Sequence, residues 1–242
     1  MSPATASPPP AGRPAGRPRA AVLSRERILQ AAFAHSDERG ADFTLAALAR
    51  ALGVRPSALH HYFANRDDLI AGMRGQLTLR VGDHGFDRIP WHEAAIPWAR
   101  AYRDTLGRHP GIIAALATLP VDGEPESIAD YNRIAEAFRR DGYPEHRIVP
   151  AIVALESFII GSALDAIAPD DNLRPSRDPE AAPTLDAAER AARAQAAERG
   201  RSAAEDAFEF GLESLVAGLR WLGSDAGSGT DTGADAGSGA IS

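Results

Sequence analysis

Between Thr44 and Phe63 the apolar residues fall in two short bursts separated by a glycine, and few folds accept that arrangement. Leu45, Leu48, Ala49 and Leu52 stand at i, i+3, i+4 and i+7, one face of a short helix that Thr44 is placed to cap. Phe43 and Leu48 form the hydrophobic staple for its entry. Gly53 follows where a left-handed residue is needed, the conformation glycine adopts without a steric penalty. Val54 and Arg55 then lead into Pro56, which suits the first position of another helix, predicted to run to about Phe63 and to bury Leu59 and Phe63. Two short helices across a tight glycine-containing turn make a helix-turn-helix.

The neighbouring residues extend the same unit. Ser24 is placed to cap an earlier helix, with Leu23 and Ile28 as its staple and Ile28, Leu29, Ala32 and Phe33 as its buried face, ending near Gly40. Asn65 caps a later one running from Asp67 to about Arg80, with Asp67 and Asp68 in the first turn, where the helix dipole favours negative charge. No segment alternates with the two-residue period of a strand, so an all-α chain is expected: an N-terminal helical head followed by a larger helical body. Residues 1–22 are Pro-, Ala-, Gly- and Arg-rich with little to bury, and residues 223–242 are a Gly/Ser/Ala/Asp tail; both are expected to be disordered. This divides the chain into a basic arm (1–22), a head (23–70), a body (71–222) and the tail. Within the body, 169–202 is a polar stretch whose second half reads as a solvated helix.

Charge separates the two parts. The whole chain carries −7, yet residues 1–66 hold nine arginines against four acids, and the remainder holds 17 against 29. A head at +5 on a body at −12 is the distribution of a polyanion-binding module on an acidic support. Cysteine is absent, which removes disulfides and Cys-based zinc sites and fits a reducing, cytoplasmic setting. Prolines interrupt the N-terminal arginines and no apolar run follows them, so no secretory signal is read there. The longest apolar run, 151–167, contains Glu156 and Asp165 and is shorter than a bilayer span of ~20 residues; it is expected to be a buried helix, and no membrane partner is expected.

With Leu59 and Phe63 inward, the outward side chains of the second short helix are Arg55, Ser57, Ala58, His60 and His61. These are groups able to donate to base edges or to touch a thymine methyl in a major groove. Thr44, Tyr62 and Arg66 would lie near phosphates and fix the register. The same spacing would also serve a small helical subdomain with a polar surface. The stretch from Phe43 to Val54, followed by Ser57-Ala58-Leu59-His60-His61-Tyr62-Phe63-Ala64-Asn65-Arg66-Asp67-Asp68-Leu69, resembles the signature of the TetR family of bacterial regulators. The resemblance covers roughly residues 24–72, with His60 where the family usually has tyrosine and Arg66 where it has lysine. It implies a ligand-responsive regulator, most often a repressor, that binds double-stranded operator DNA as a homodimer.

The body resembles the tetracycline-repressor branch of that family, above all in Ala207-Phe208-Glu209-Phe210-Gly211-Leu212. That likeness implies a dimer built by packing 151–167 and 204–222 into a four-helix bundle. Both segments are apolar on more than one face, and Gly161, Gly211 and Gly218 would let helices approach closely. Trp98, Tyr102, Leu116, Phe138 and Phe158 are candidate walls of an effector pocket, with His84, His109, Glu156 and Asp165 as candidate polar anchors; taken singly, each wall residue reads more readily as core. By resemblance, Asp165 falls where the branch contacts its drug and metal. Its metal-ligating histidine is missing from the matching stretch 111–118, so no metal or cofactor is expected here. The expected effector is a bulky, largely apolar or aromatic small molecule.

Alternatives stay open at this point. An activator would share every residue, whereas the intact Gly53 turn, Arg55 and Arg66 argue against a ligand-binding module that had lost DNA binding. An enzyme would need a motif, and neither nucleophile-elbow, phosphate-loop nor zinc spacing is present. The Pro- and Arg-containing segment 11–19 resembles a minor-groove arm and reads equally as an inert basic leader.

Overall fold

The computed structural model describes residues 23–40, 43–168 and 179–224. The basic arm (1–22), the first part of the polar stretch (169–178) and the tail from 225 lie outside the described residues, while Gly223 and Ser224, expected in the disordered tail, end the last helix. Among the described residues every regular element is helical. The all-α expectation is met.

Helix α1 (Arg25–Arg39) starts where Ser24 accepts from the Arg27 amide, and α2 (Leu45–Leu52) starts where Thr44 accepts from that of Ala47. Gly53 then adopts φ 69° and ψ 29°. Its amide donates to the Arg50 carbonyl and that of Val54 to the Ala49 carbonyl, the paired bonds that close a helix over a left-handed residue. Helix α3 (Pro56–Leu59) is shorter than the sequence implies. The Leu59 carbonyl accepts the amides of both Tyr62 and Phe63, so the chain tightens into a turn that continues the helical path to Phe63 without regular α-geometry. His60 and His61 lie on that turn and not on the helix proper. Helix α4 (Arg66–Val81) is capped reciprocally: Asn65 accepts from the Asp68 amide while the Asp68 carboxylate accepts from that of Ala64.

Beyond the head, α5 (Trp91–Gly107), α6 (Ile113–Thr118), α7 (Pro125–Arg140) and α8 (Glu145–Asp165) enclose the lower half of α4. A one-turn 3-10 segment, Pro110–Ile112, joins α5 to α6. Helix α9 (Pro183–Glu198) is mostly exposed, as a solvated helix should be, and leads to α10 (Ala203–Ser224). Helix α5 is the axis of the body, packed by α4, α8 and α10, while α4 also packs against α1, α6 and α7. One helix therefore belongs to both head and body. A single apolar core runs from Ile28 in α1 to Leu219 in α10 without a break.

Helix α8 is long and apolar enough, by length and composition, to cross a membrane. It instead buries Ile148, Ile152, Leu155 and Ile159 against its neighbours. Its other face is uncovered within one chain, leaving Val149, Val153 and Leu164 exposed beside Phe210, Trp221 and Leu222 of α10. Gly211 does bring α10 close to Phe158, whereas Gly161 and Gly218 meet nothing within their own chain.

Candidate nucleic-acid interface and ligand cavity

Leu59 and Phe63 are fully buried, which turns Arg55, Ser57, His60 and His61 to solvent with Ala58 half-buried beside them. Thr44 is exposed at the start of α2 and Arg66 half-buried at the start of α4, flanking that surface on two sides. Of the eight expected contact residues, Thr44, Arg55, Ser57, His60 and His61 are exposed and Ala58, Tyr62 and Arg66 half-buried. The Tyr62 hydroxyl donates to the Leu23 carbonyl at 2.7 Å, so it anchors the turn to the start of α1 and has no proton left to offer a phosphate. Arg25 strengthens the same junction: it donates to the Tyr62 carbonyl, and its guanidinium sits 4.4 Å from the centre of the Phe63 ring. His60 holds its Nδ1 3.2 Å from the Ala64 carbonyl. Nδ1 therefore carries the proton, and a neutral ring presents only an acceptor at Nε2.

Head and body are joined around the end of α1. Arg80 donates to His109 Nε2 at 2.9 Å, so the His109 Nδ1–H donates to the Asp37 carboxylate at 2.8 Å. The His109 ring lies 4.4 Å from Phe33, with the Arg80 guanidinium on the same ring. His109 is thus a structural tie between α1, α4 and the loop after α5, and not an anchor in a pocket.

The cavity lies where α4, α5, α6, α7 and α8 meet. Trp98, Tyr102 and Leu116 line it, as expected, together with Arg74, Leu77, Thr78, Val81, Asp130, Tyr131 and Glu156. Its free volume is about 20 Å³, room for one water. The other expected pocket residues are placed elsewhere. Phe138 stacks on Trp91 in the core, and Phe158 stacks on Phe208 beneath Gly211. Asp165 is exposed at the far end of α8. His84 holds the Val81 carbonyl in a left-handed turn, outside the cavity lining but close enough to influence Asp130. Phe138, Phe158 and Asp165 are each turned away by helix phase, and His84 by the turn that follows α4.

The cavity is also more polar than apolar residues alone would make it. Arg74 is 7% exposed and donates three bonds of 2.6 Å, to the carbonyls of Leu116, Leu119 and Pro120 at the end of α6. The sequence did hold a sign of it: Arg74 interrupts the apolar stripe of Ile70, Met73, Leu77 and Val81. Glu156 accepts from the Tyr131 hydroxyl, and Tyr102 lies against the same carboxyl. Burial drives both phenols well above the ordinary tyrosine range, the Glu156 charge adding to it, so they remain donors. Asp130, also raised by burial, is paired with Arg133 at 2.7 Å. Among the described residues no group of three metal-ligating side chains occurs.

Burial raises the Glu156 carboxyl above the usual carboxylate range, opposed in part by the Tyr131 hydroxyl and the Arg74 charge. A raised folded-state value adds stability at pH below the unfolded value, and that contribution is lost as pH rises through the raised one. Glu156→Gln, which is never charged, is therefore expected to melt close to wild type in acid and progressively above it toward neutral and alkaline pH. Paired melting curves across pH check this, and a gap independent of pH would contradict it.

Comparison with known proteins agrees with this geometry. Residues 28–73 match the family model for bacterial regulatory proteins of the tetR family, and residues 87–222 match the tetracyclin repressor-like C-terminal domain. Among solved structures, ActR from Streptomyces coelicolor is 20% identical, with a TM-score of 0.67 over 84% of this chain and 98% of ActR. BioQ from Mycobacterium smegmatis is 24% identical, with a TM-score of 0.59 over 84% of this chain and all (100%) of BioQ. A TetR variant from Acinetobacter baumannii AYE is 21% identical, with a TM-score of 0.59 over 84% of this chain and 99% of that one. At these identities the likeness is one of fold. No curated protein matches the chain in sequence.

Proposed function

This chain belongs to the tetR family of bacterial regulatory proteins, and on that premise we propose that it is a homodimeric repressor released from a palindromic operator by a small aromatic molecule. The observation that carries the DNA-binding half is the exposure of Arg55, Ser57, His60 and His61 over fully buried Leu59 and Phe63. A recognition element of this kind enters the major groove, and two of them, one turn of duplex apart, read a two-fold site. The uncovered apolar face of α8 and α10 supplies the symmetric contact, and contiguous exposed apolar surface of that kind marks an interface. The protein would act in the cytoplasm, where its operator is.

The effector half rests on the cavity and its place against α4. ActR has been solved in complex with actinorhodin, and the Acinetobacter TetR variant with minocycline. Here Trp98, Tyr102 and Tyr131 offer aromatic surface, but about 20 Å³ of space admits no such molecule without movement. Entry of an effector must push these walls apart, and α4 is one of the walls. Binding to the opened conformation at the expense of the DNA-bound one shifts the population off the operator. About 1–3 kcal/mol of coupling is enough to regulate.

The decisive experiment is a gel shift with the DNA flanking the protein's own gene; indifference to that DNA and to any duplex would overturn the proposal. Arg55→Ala is expected to lose about 1–3 kcal/mol of operator affinity and to flatten the preference for one base pair in each half-site. Fluorescence anisotropy against single-base operator variants measures both. A uniform loss across all variants would move Arg55 from base reading to phosphate contact.

A further inference from the structure

The cavity holds a buried cation whose direct partners are all neutral. Arg74 is 7% exposed, lines the cavity, and donates to the carbonyls of Leu116, Leu119 and Pro120. Among the described residues no carboxylate forms an ion pair with it; Glu156 influences it only through space, and its own carboxyl is engaged by Tyr131 and Tyr102. Buried charges are ordinarily matched by an opposite charge in contact. This one is matched by three peptide dipoles, and those dipoles close the end of α6.

Resting on the reading of this cavity as the effector site, we propose that the effector is an aromatic carboxylic acid and that Arg74 is the residue that recognises it. The carboxylate would take the guanidinium from the α6 carbonyls and so untie α6 from α4. Hydrogen bonds between ionised partners are roughly twice as strong as those to a neutral group, and a carboxylate matches the planar guanidinium fork two bonds at a time. A carboxylate therefore outcompetes the carbonyls that Arg74 now holds. A neutral ketone, amide or phenol offers an acceptor no better than those carbonyls and gains nothing by displacing them. A cationic amine meets the Arg74 charge and finds the Glu156 oxygens already engaged. The aromatic half of the effector follows from Trp98, Tyr102 and Tyr131 on the facing walls.

The exchange has a mechanical result. Both faces on which the guanidinium can hold a carboxylate by two bonds need an Nη2 hydrogen now given to Leu116 or Leu119, so a ligand held in the fork breaks at least part of the tie from α4 to α6. Helix α4 is also the helix whose first turn supports the DNA-reading surface. The acid thus binds preferentially to one of two conformations, the differential contact that regulation requires.

The test uses the full chain with 1-naphthoate and 1-naphthamide, nearly equal in shape and differing in charge, and isothermal titration calorimetry without DNA. Wild type is expected to bind the naphthoate about tenfold or more tighter than the amide. Arg74→Met is expected to abolish that preference, with Arg74→Gln as a second variant of similar length. Adding naphthoate to the operator complex is expected to release wild type, while Arg74→Met, which lacks the α4–α6 tie with no ligand present, is expected to bind operator more weakly from the outset and to be indifferent to naphthoate. Equal affinities in wild type, no binding of either probe, or a preference that survives both substitutions would each overturn the inference. Because the calorimetry omits DNA, a failure to bind any operator would count against the regulator reading and not against this one.

Discussion

Glutamate at both Val153 and Phe210 is expected to convert the protein to a monomer and to weaken operator binding by on the order of a thousandfold. Val153 is 52% exposed on α8 and Phe210 74% exposed on α10, and Trp221 on the same side of α10 is 63% exposed. In one chain these substitutions disturb almost nothing, since neither side chain contributes to the core. In a dimer they would place four carboxylates in an apolar seam, where an unpaired buried charge is strongly unfavourable. Each protomer would then retain its recognition element but lose the second half-site, and with it about half of the binding free energy. Light scattering after size exclusion reports the mass and an anisotropy titration the affinity. A double variant that still elutes with the mass of two chains would place the dimer contact elsewhere.

Gly111→Ala is the second large effect expected. A Cβ at this position would overlap the Ser36 carbonyl and approach the Asp37 amide to 3.0 Å. Both are backbone atoms in the last turn of α1, and Ser36 is fully buried, so neither rotates out of the way. The 3-10 segment must therefore move off α1, pulling His109 from Asp37 and Phe33. Overpacking of this kind costs about 1–3 kcal/mol, a loss of several degrees in melting temperature. Gly107→Ala is the matched control, because nothing lies within 4 Å of its added methyl; it should be nearly neutral. Equal melting curves for the two variants would refute the close approach of α1 to the 3-10 segment. The Gly111 variant should also bind operator differently in the absence of effector, since the same contact sets how the head sits on the body.

The head was legible from the sequence almost residue by residue, because its signals are local. Ser24, Thr44 and Asn65 cap as their positions require, and Gly53 takes the left-handed conformation its place between two helices demands. Two discrepancies arise in the turn from His60 to Tyr62: α3 is short because one carbonyl serves two amides, and the Tyr62 hydroxyl is committed to the Leu23 carbonyl. The body was legible as helices but not as a site. Phe158 and Asp165 are in a helix the sequence foresaw and Phe138 in the helical body it expected, yet which face each turns inward depends on how α5, α7, α8 and α10 cross, information that periodicity within one helix does not contain. Trp98, Tyr102 and Leu116 were found because large side chains on a central helix and its neighbour reach the middle of a bundle. Arg74 was passed over because arginine on a helix is ordinarily a solvated group; its position within an apolar stripe was the one available warning.

The bond from the Tyr62 hydroxyl to the Leu23 carbonyl has a practical bearing on how this protein is handled. It fixes Leu23 against the turn that carries His60 and His61, so a purification tag or fluorescent label fused ahead of Leu23 starts beside the surface proposed to meet the duplex. Operator affinities measured on such a fusion would report the appendage as well as the regulator, and a cationic tag would inflate them most at low salt. A tag placed beyond Ser224 leaves from the opposite end of the polypeptide.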